Sequence, residues 1–378
     1  MHSKWGHFMQ IRKAKTKKDT NAFIDLAYTI YKNDPMWIAP LRSELKKTFD
    51  PQKNPFLDHC EYALFLLEDN GKVIGRIAAL IDLLAVEHWG EAIGMFAYFE
   101  CPNDKKAADM LFNAAKEWLK AKDMQAIRGP MSFISQEMGM VVEGHSPANC
   151  IMSPYNPPYY NELIAGFGFK KIKDLLVYYM DASENYQIPE RVLQLTDTIA
   201  KRYKIKTRYA NMKNIDQEIA HIIKISNASI GNNWGFVPVT DAEITAMAKD
   251  LAQIINPRGV IFASDETEEV IGFGVTIPDI NIALKGLNGH LLPFGWLKLL
   301  WQIPRIKQYR MFALGVMPKY QGKAVDALIY RSLYEGIYAP DARLEINYVL
   351  EDNAPMNNAI IKLGAKPLKR YRLYQKPL

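Results

Sequence analysis

The feature that most constrains this chain is that it repeats itself. A strand-like run and an amphipathic helix open each half: Met9 to Ala14 then Asn21 to Tyr31, and Ile205 to Ala210 then Ile215 to Ile225. A Trp-to-Pro loop follows each helix, Trp37-Ile38-Ala39-Pro40 and Trp234-Gly235-Phe236-Val237-Pro238. Next comes a hairpin signal: Phe65-Leu66-Leu67 turning into Val73-Ile74-Gly75, and Val260-Ile261-Phe262 turning into Val270-Ile271-Gly272. Later helices open alike, Lys106-Ala107-Ala108-Asp109-Met110-Leu111 against Lys323-Ala324-Val325-Asp326-Ala327-Leu328. Gly-led strands close both halves, from Gly168 to Tyr178 and from Gly364 to Tyr374. One such match is noise; five in the same order imply a duplicated α/β unit.

The offsets locate what is not shared. Start, Trp loop, hairpin and closing strand match at a shift of roughly 194 to 198 residues, but the later helix matches at about 217. The second copy therefore carries an extra segment of about twenty residues before that helix, within Ile277 to Arg310. The first copy carries a similar excess after it, within Gly129 to Cys150. Inserts on a repeated scaffold are where function tends to sit. The Asp-, Ser-, Asn- and Pro-rich stretch Asp181 to Pro189 reads as the linker, giving domains 1–182 and 190–378. The element order implies a mixed sheet with helices packed on it in each copy.

Composition narrows the function classes. With 49% hydrophobic residues in 378, each half can bury a core. The net charge of +6 is spread out, its longest basic cluster being Arg12 to Lys18, so it favours an anionic ligand without indicating nucleic acid. Three scattered cysteines, Cys60, Cys101 and Cys150, do not make a disulfide framework and fit a reducing compartment. The histidines are isolated, and no metal site is expected. Met1 to Gln10 lacks the apolar core of a signal peptide, and no run is apolar enough to span a bilayer. The expectation is a soluble, cytoplasmic protein; the oligomeric state is open.

The richest stretch runs from Met311 to Asp326. An apolar strand feeds a short loop of small residues that opens into a helix, with Lys319 and Lys323 beside it. Backbone amides at such a turn face an anion, and the helix dipole favours negative charge; an ordinary strand-to-helix turn has the same outline. Val316 through Asp326 resembles the acyl-CoA-binding loop of the GNAT acyltransferases, a Val-x-Pro strand end followed by Arg/Gln-x-x-Gly-x-Gly/Ala. Val316, Pro318 and Gln321 stand at matching places. Asn353 and Gly364-Ala365 sit where that family has Asn and Gly-Phe around its following helix.

The resemblance implies two GNAT-like domains in tandem. It implies acetyl-CoA or a longer acyl-CoA as co-substrate, in the split between the strand ending at Val316 and the strand starting near Leu344. The backbone of Leu314, Gly315 and Val316 would pair with the pantetheine arm. Amides of Gln321, Gly322, Lys323, Ala324 and Val325 would hold the pyrophosphate, with Asn353 nearby. An amine, small or lipid-like, would attack the thioester. Glu345 is the candidate base, with Glu351 a second, and Tyr348 or water the donor to the departing thiolate. Trp234, Phe294 and Trp296 would border the acceptor.

This chain also departs from the family pattern. Ala324 and Asp326 replace small loop residues, a methyl at Ala324 being tolerable if its φ stays negative. The usual general-acid tyrosine is Ile360 here and Ile164 in the first copy. The first-copy loop, Glu100 to Ala108, has no glycine and presents Glu100 and Asp104 where phosphates would bind, and Asn103 or Asp104 reads as a helix N-cap. A non-catalytic acyl-CoA or ligand-binding protein on the same scaffold is the alternative reading. Of the inserts, Met131 to Cys150, with Glu137, Glu143 and His145, reads as a lid over the second site or as a surface loop. Ile282 to Ile303 has three readings: an interdomain packing helix, an apolar wall for a lipid-like chain, or a peripheral membrane contact.

Overall fold

The structure is a computed structural model that describes residues 8–134, 137–229, 231 and 233–378. In the first copy the elements run β1 (Met9–Lys13), α1 (Lys17–Ile30), α2 (Arg42–Thr48), β2 (Cys60–Asp69), β3 (Lys72–Asp82), α3 (Leu83–Trp89), β4 (Ile93–Glu100), α4 (Lys105–Lys120), β5 (Ala126–Met131), β6 (Met140–Glu143), α5 (Tyr159–Gly166) and β7 (Lys170–Asp181). The second runs α6 (Glu190–Tyr203), β8 (Lys206–Tyr209), α7 (Ile215–Ser229), α8 (Asp241–Ala252), β9 (Val260–Ser264), β10 (Val270–Pro278), α9 (Asn281–Leu284), α10 (Gly295–Gln302), β11 (Gln308–Val316), α11 (Val325–Ile337), β12 (Arg343–Leu350), α12 (Ala354–Lys362) and β13 (Lys366–Pro377). Helix α6, just after the expected linker, has no counterpart among the described residues of the first copy.

The chain resolves into two compact units, neither contiguous in sequence. One comprises residues up to Asp174 with Leu284–Leu292 and Arg370–Leu378; the other comprises Leu175–Ala283 and Pro293–Lys369. The halves 1–182 and 190–378 describe the repeat, whereas the unit boundaries cut through its two closing strands. In the first unit the sheet order is β1-β2-β3-β4-β5, completed by the end of β13, whose Tyr374 to Pro377 pair antiparallel with Gly129 to Ala126 of β5. In the second it is β8-β9-β10-β11-β12, completed by Leu175 to Asp181 of β7. Each sheet is antiparallel except for one parallel pair, β4–β5 and β11–β12.

Local signals explain the elements. A capping box of Thr16 and Asp19 starts α1, and one of Thr240 and Glu243 starts α8. The stripe Ala108, Leu111, Ala115 and Leu119 seats α4 in the first core with Phe96, Phe112 and Phe169. In the second core Val325, Leu328, Ile329 and Leu333 of α11 pack with Ile261, Ile271 and Ile346. That approach needs Gly274, because a Cβ there would come within 2.5 Å of Ile329 Cγ2. No helix among the described residues is long and apolar enough to cross a membrane.

Candidate functional site

The second copy opens its sheet between β11 and β12. Their parallel pairing runs from Gln308 with Arg343 to Met311 with Ile346 and stops there. At the same point β11 bulges: Val275 faces Ala313 and Thr276 faces Met311, leaving Phe312 as the extra residue. Beyond the bulge Phe312, Ala313 and Leu314 are half-buried, and their edge is not taken by β12. This is the split in which Leu314, Gly315 and Val316 were expected to receive an extended arm. Gly315 has no room for a side chain, since its Cβ would meet Phe273, Ser229 and Ile225, the last two from α7.

Strand β11 then leads into a loop held at several points. Met317 N donates to Ile271 O at 2.8 Å, and Gln321 Nε2 reaches back to Val316 O at 3.1 Å. Tyr320 Oη donates to Asp265 Oδ2 at 2.6 Å, tying the loop to the β9–β10 turn. That bond is the largest influence on both groups, holding the Asp265 carboxyl down at about 2 and pushing the tyrosine up to about 12. Lys319 and Lys323 lie over the Tyr320 ring at 5.4 and 4.9 Å.

The loop enters α11 through Gly322 at φ 73° and Ala324 at φ 54°. The negative φ required of Ala324 is not what the structure has: it takes the left-handed conformation that glycine adopts without cost, at about 1 kcal/mol for an alanine. The backbone therefore keeps a glycine-like path despite the substitution. Ala324 is the N-cap and supplies no side-chain acceptor to the first turn. Asp326 is half-buried in that turn and burial raises its carboxyl; Tyr330, one turn on, is raised by its own burial first and by Asp326 second.

The first copy has closed the same place upon itself. Asp104, of the two expected caps, accepts from Lys106 N and Ala107 N at 2.7 and 3.1 Å, so a carboxylate already sits at the N-terminus of α4. Past the bulge at Tyr98, the strand's backbone is taken by α5: Cys101 N donates to Tyr160 Oη at 3.1 Å, and Tyr159 Oη donates to Cys101 O at 2.9 Å. Glu100 is buried and receives Tyr31 Oη at 2.5 Å and Tyr160 Oη at 2.7 Å, with Arg76 Nη2 at 3.4 Å. Burial raises its carboxyl against the pull of Arg76. This network was not legible beforehand; Glu100 stood out only as a misplaced charge.

Glu345 lies one residue before Ile346, the last residue of β12 paired with β11, and is 8% exposed. Ile346 belongs to the core under α11, so the strand's alternation puts Glu345 on the opposite face, the side on which α7 packs against β11. Burial raises its carboxyl to about 7, opposed by Arg343, Lys369 and Arg310 and aided by Asp279. Arg343 Nη2 lies 3.4 Å from its Oε1. Tyr348 lies three residues on, its ring 5.2 Å from the Arg310 guanidinium. Asn353 Oδ1 accepts from Met356 N at 3.2 Å as the N-cap of α12. Ile360 and Ile164 are both fully buried core residues.

The remaining candidates fall elsewhere. Trp234 is half-buried in the α7–α8 loop, whose first expected residue, Asn232, lies outside the described residues. Phe294 and Trp296 are 72% and 45% exposed. The second-copy insert includes α10, none of whose residues is buried. Of the first-copy insert, Met140–Glu143 is strand β6, paired with β13, and Glu143 bridges to Arg370 at 3.4 Å. His59, Cys60 and Asp82 do gather, although no metal grouping was expected; Asp82 Oδ1 already caps α3 through Leu84 N and Ala85 N.

Comparison with known proteins decides the family. No family model matches the chain. Protein YghO of Escherichia coli (strain K12) is 35% identical over 376 residues, covering 97% of this chain and 95% of its own. The bacterial ceramide synthase of Caulobacter vibrioides (strain NA1000 / CB15N) is 33% identical over 379 residues, covering 98% of both. A tandem GNAT protein from the clavulanic acid biosynthesis pathway superposes over 98% of both chains with a TM-score of 0.58 at 11% identity. This chain belongs to the family of YghO and the bacterial ceramide synthase, and its fold is that of the tandem GNAT proteins. A GCN5-related N-acetyltransferase from Sphaerobacter thermophilus shares the fold at a TM-score of 0.56 and 12% identity, over 98% of this chain and 95% of that one. On this fold the two copies are unequal: among the described residues the first fills its helix N-terminus with Asp104, and the second leaves its split and helix N-terminus open. The fold and the ceramide synthase relative together support an acyl-transfer function.

Proposed function

We propose that this protein is an acyl-CoA-dependent N-acyltransferase whose second copy binds the acyl-CoA and whose acceptor is a lipid-like amine. The observation that carries the reading is the contrast at the two helix N-termini. Asp104 fills that of α4, whereas the glycine-like backbone at Gly322 and Ala324 opens α11 without a side-chain cap. A pyrophosphate there would meet amides of Gln321 to Val325, the helix dipole, and the charges of Lys319 and Lys323. The arm would run along Leu314 to Val316, and Asn353, already turned toward α12, would border the nucleotide end.

In this reading the amine nitrogen attacks the thioester carbonyl, forming the C–N bond as the C–S bond breaks. Glu345 takes the proton lost by the amine, and a carboxyl held near 7 suits that task at neutral pH. Tyr348 or water returns a proton to the CoA thiolate. Trp234, Phe294 and Trp296 lie toward the acceptor. The lipid-like acceptor draws on the name of the Caulobacter relative, since a ceramide is an N-acylated long-chain amine.

The test is thiol release from acetyl-CoA and from a long-chain acyl-CoA, with a short amine and a long-chain amino alcohol as acceptors. Release that depends on the long-chain amine is expected, with mass spectrometry detecting the amide. CoA binding without release on any amine would leave the non-catalytic reading; no CoA binding at millimolar ligand would remove both.

A further inference from the structure

We infer that α10 seats this protein on an anionic lipid bilayer. Helix α10 is amphipathic in the wrong sense for a protein interior. On a helical wheel Trp296, Leu300, Leu297 and Trp301 fall on one continuous arc, and all four are exposed, by 45, 67, 48 and 61%. Phe294, just before the helix, is 72% exposed. The half-buried arc holds Lys298, Leu299 and Gln302. A helix packed on a core would turn the other way, because contiguous exposed apolar surface is costly in water.

Charge and residue type select the occupant. Between Asp279 and Asp326 the chain contains no acidic residue. Of the cations in that interval Lys307 is paired with Asp341 and Arg310 is buried, while Lys298 within the helix and Arg305 just after it are the nearest to α10 in sequence. Arg305 follows the helix with its guanidinium 4.6 Å from the Trp301 ring and donates to Trp301 O. Tryptophans flanked by cations on an exposed apolar arc match the headgroup boundary of a bilayer, where an indole has one apolar and one wet side. At eight residues α10 is about 12 Å long, enough to lie in the interface and far too short to cross it. A protein partner would meet the same apolar arc without using the cations in and just after the helix; an anionic membrane uses both.

The seat itself does not depend on acyl transfer. One consequence does rest on that reading: a lipid-like amine would enter from the bilayer past Phe294 and Trp296, so those two side chains would border the acceptor by bordering the membrane.

The full chain is tested by co-sedimentation with vesicles of phosphatidylcholine, with and without phosphatidylglycerol, while tryptophan fluorescence is recorded. Binding to the phosphatidylglycerol vesicles with a blue shift is expected, weakened by salt and weaker on phosphatidylcholine alone. Leu300→Glu/Trp301→Glu should lower vesicle affinity at least tenfold while keeping the melting temperature, CoA binding and turnover of a detergent-dispersed amine. Leu299→Ala, on the half-buried arc, should bind vesicles as the parent does. No binding to either vesicle, or equal binding by the double variant, overturns the proposal. So does a dimer in light scattering that the double variant makes monomeric without any vesicle binding. CoA binding is read without vesicles, so a failure of the membrane seat is separate from a failure of the acyltransferase reading.

Discussion

Asp104 and Ala324 hold the same position, the N-cap of the helix that follows the bulged strand, and they settle it in opposite ways. The carboxylate of Asp104 sits on two amides of its own helix, while Ala324 offers its helix no side chain and holds a left-handed backbone. Ala324→Asp should therefore make the second copy imitate the first. A carboxylate at the pyrophosphate position is expected to weaken CoA binding by roughly tenfold or more, read by calorimetry. Ala324→Gly removes the Cβ from an αL residue and should stabilise the protein by about 1 kcal/mol, read as a rise in chemical-denaturation midpoint, with CoA affinity kept. A loss of affinity in the glycine variant would mean that the methyl itself matters.

The bond from Tyr320 to Asp265 holds the loop between β11 and α11 to a hairpin turn. Tyr320→Phe should loosen the loop while leaving the rest of the second core intact. Because the pair is partly solvated, a stability loss of no more than about 1 kcal/mol is expected, against a several-fold rise in the Kd for CoA. The sign with pH follows from Asp265, whose carboxyl is depressed. Its stabilisation is present above the ordinary carboxylate range near pH 3.8 and is lost as pH falls through about 2. The difference between parent and variant should thus be constant around neutrality and vanish only in strong acid.

Much of this was legible because punctuation repeats. Glycines, Trp-Pro loops and helix starts recur in order, so the duplication and the two sheets follow from the chain itself. The loop between β11 and α11 was legible for the same reason, since Gln321 and Gly322 sit at fixed distances from Val316. What was hidden depends on partners remote in sequence. The two closing strands, β7 and β13, have the same local pattern, and nothing local says which strand completes which sheet. Glu345 looks like any strand glutamate; its carboxyl rises because the fold buries it, with distant Asp279 adding to the rise and Arg343 and Lys369 opposing it. For α10 the sequence gives the apolar side chains but not the direction in which they point. Ala324 shows the reverse case, where a residue that disfavours a conformation adopts it because the surrounding loop demands it.

Glu345 makes a prediction in both activity and stability. As the base it must be ionised, so the rate with a saturating long-chain amine should rise with pH and level off above about 7. Glu345→Gln should lose at least about a hundredfold in kcat and flatten the limb. The stability sign is the opposite. A carboxyl raised in the folded state favours folding while protonated, so its contribution is full below the ordinary glutamate range near 4.5 and is lost as pH rises through about 7. The melting temperature of Glu345→Gln relative to the parent should therefore increase between about pH 5 and about pH 8. A difference that does not change with pH would mean Glu345 is ionised throughout, as an ordinary partner of Arg343.

Asp326 supplies the sharpest test of where the pyrophosphate lies. It stands in the first turn of α11, where a ligand anion would share the helix dipole with it, and burial already raises its carboxyl. An ionised Asp326 competes with the ligand for the same field, while a protonated one does not. Asp326→Asn should bind CoA more tightly than the parent at neutral pH, by a few-fold to about tenfold. The gain should shrink as pH falls and the parent's own carboxyl becomes neutral. Comparing the two proteins at each pH cancels the titration of the ligand's phosphates, which is common to both. Calorimetry over a pH series reads the difference directly. If Asp326→Asn binds CoA no better at any pH, the pyrophosphate is not at the N-terminus of α11, and the assignment of Gln321 to Val325 falls with it.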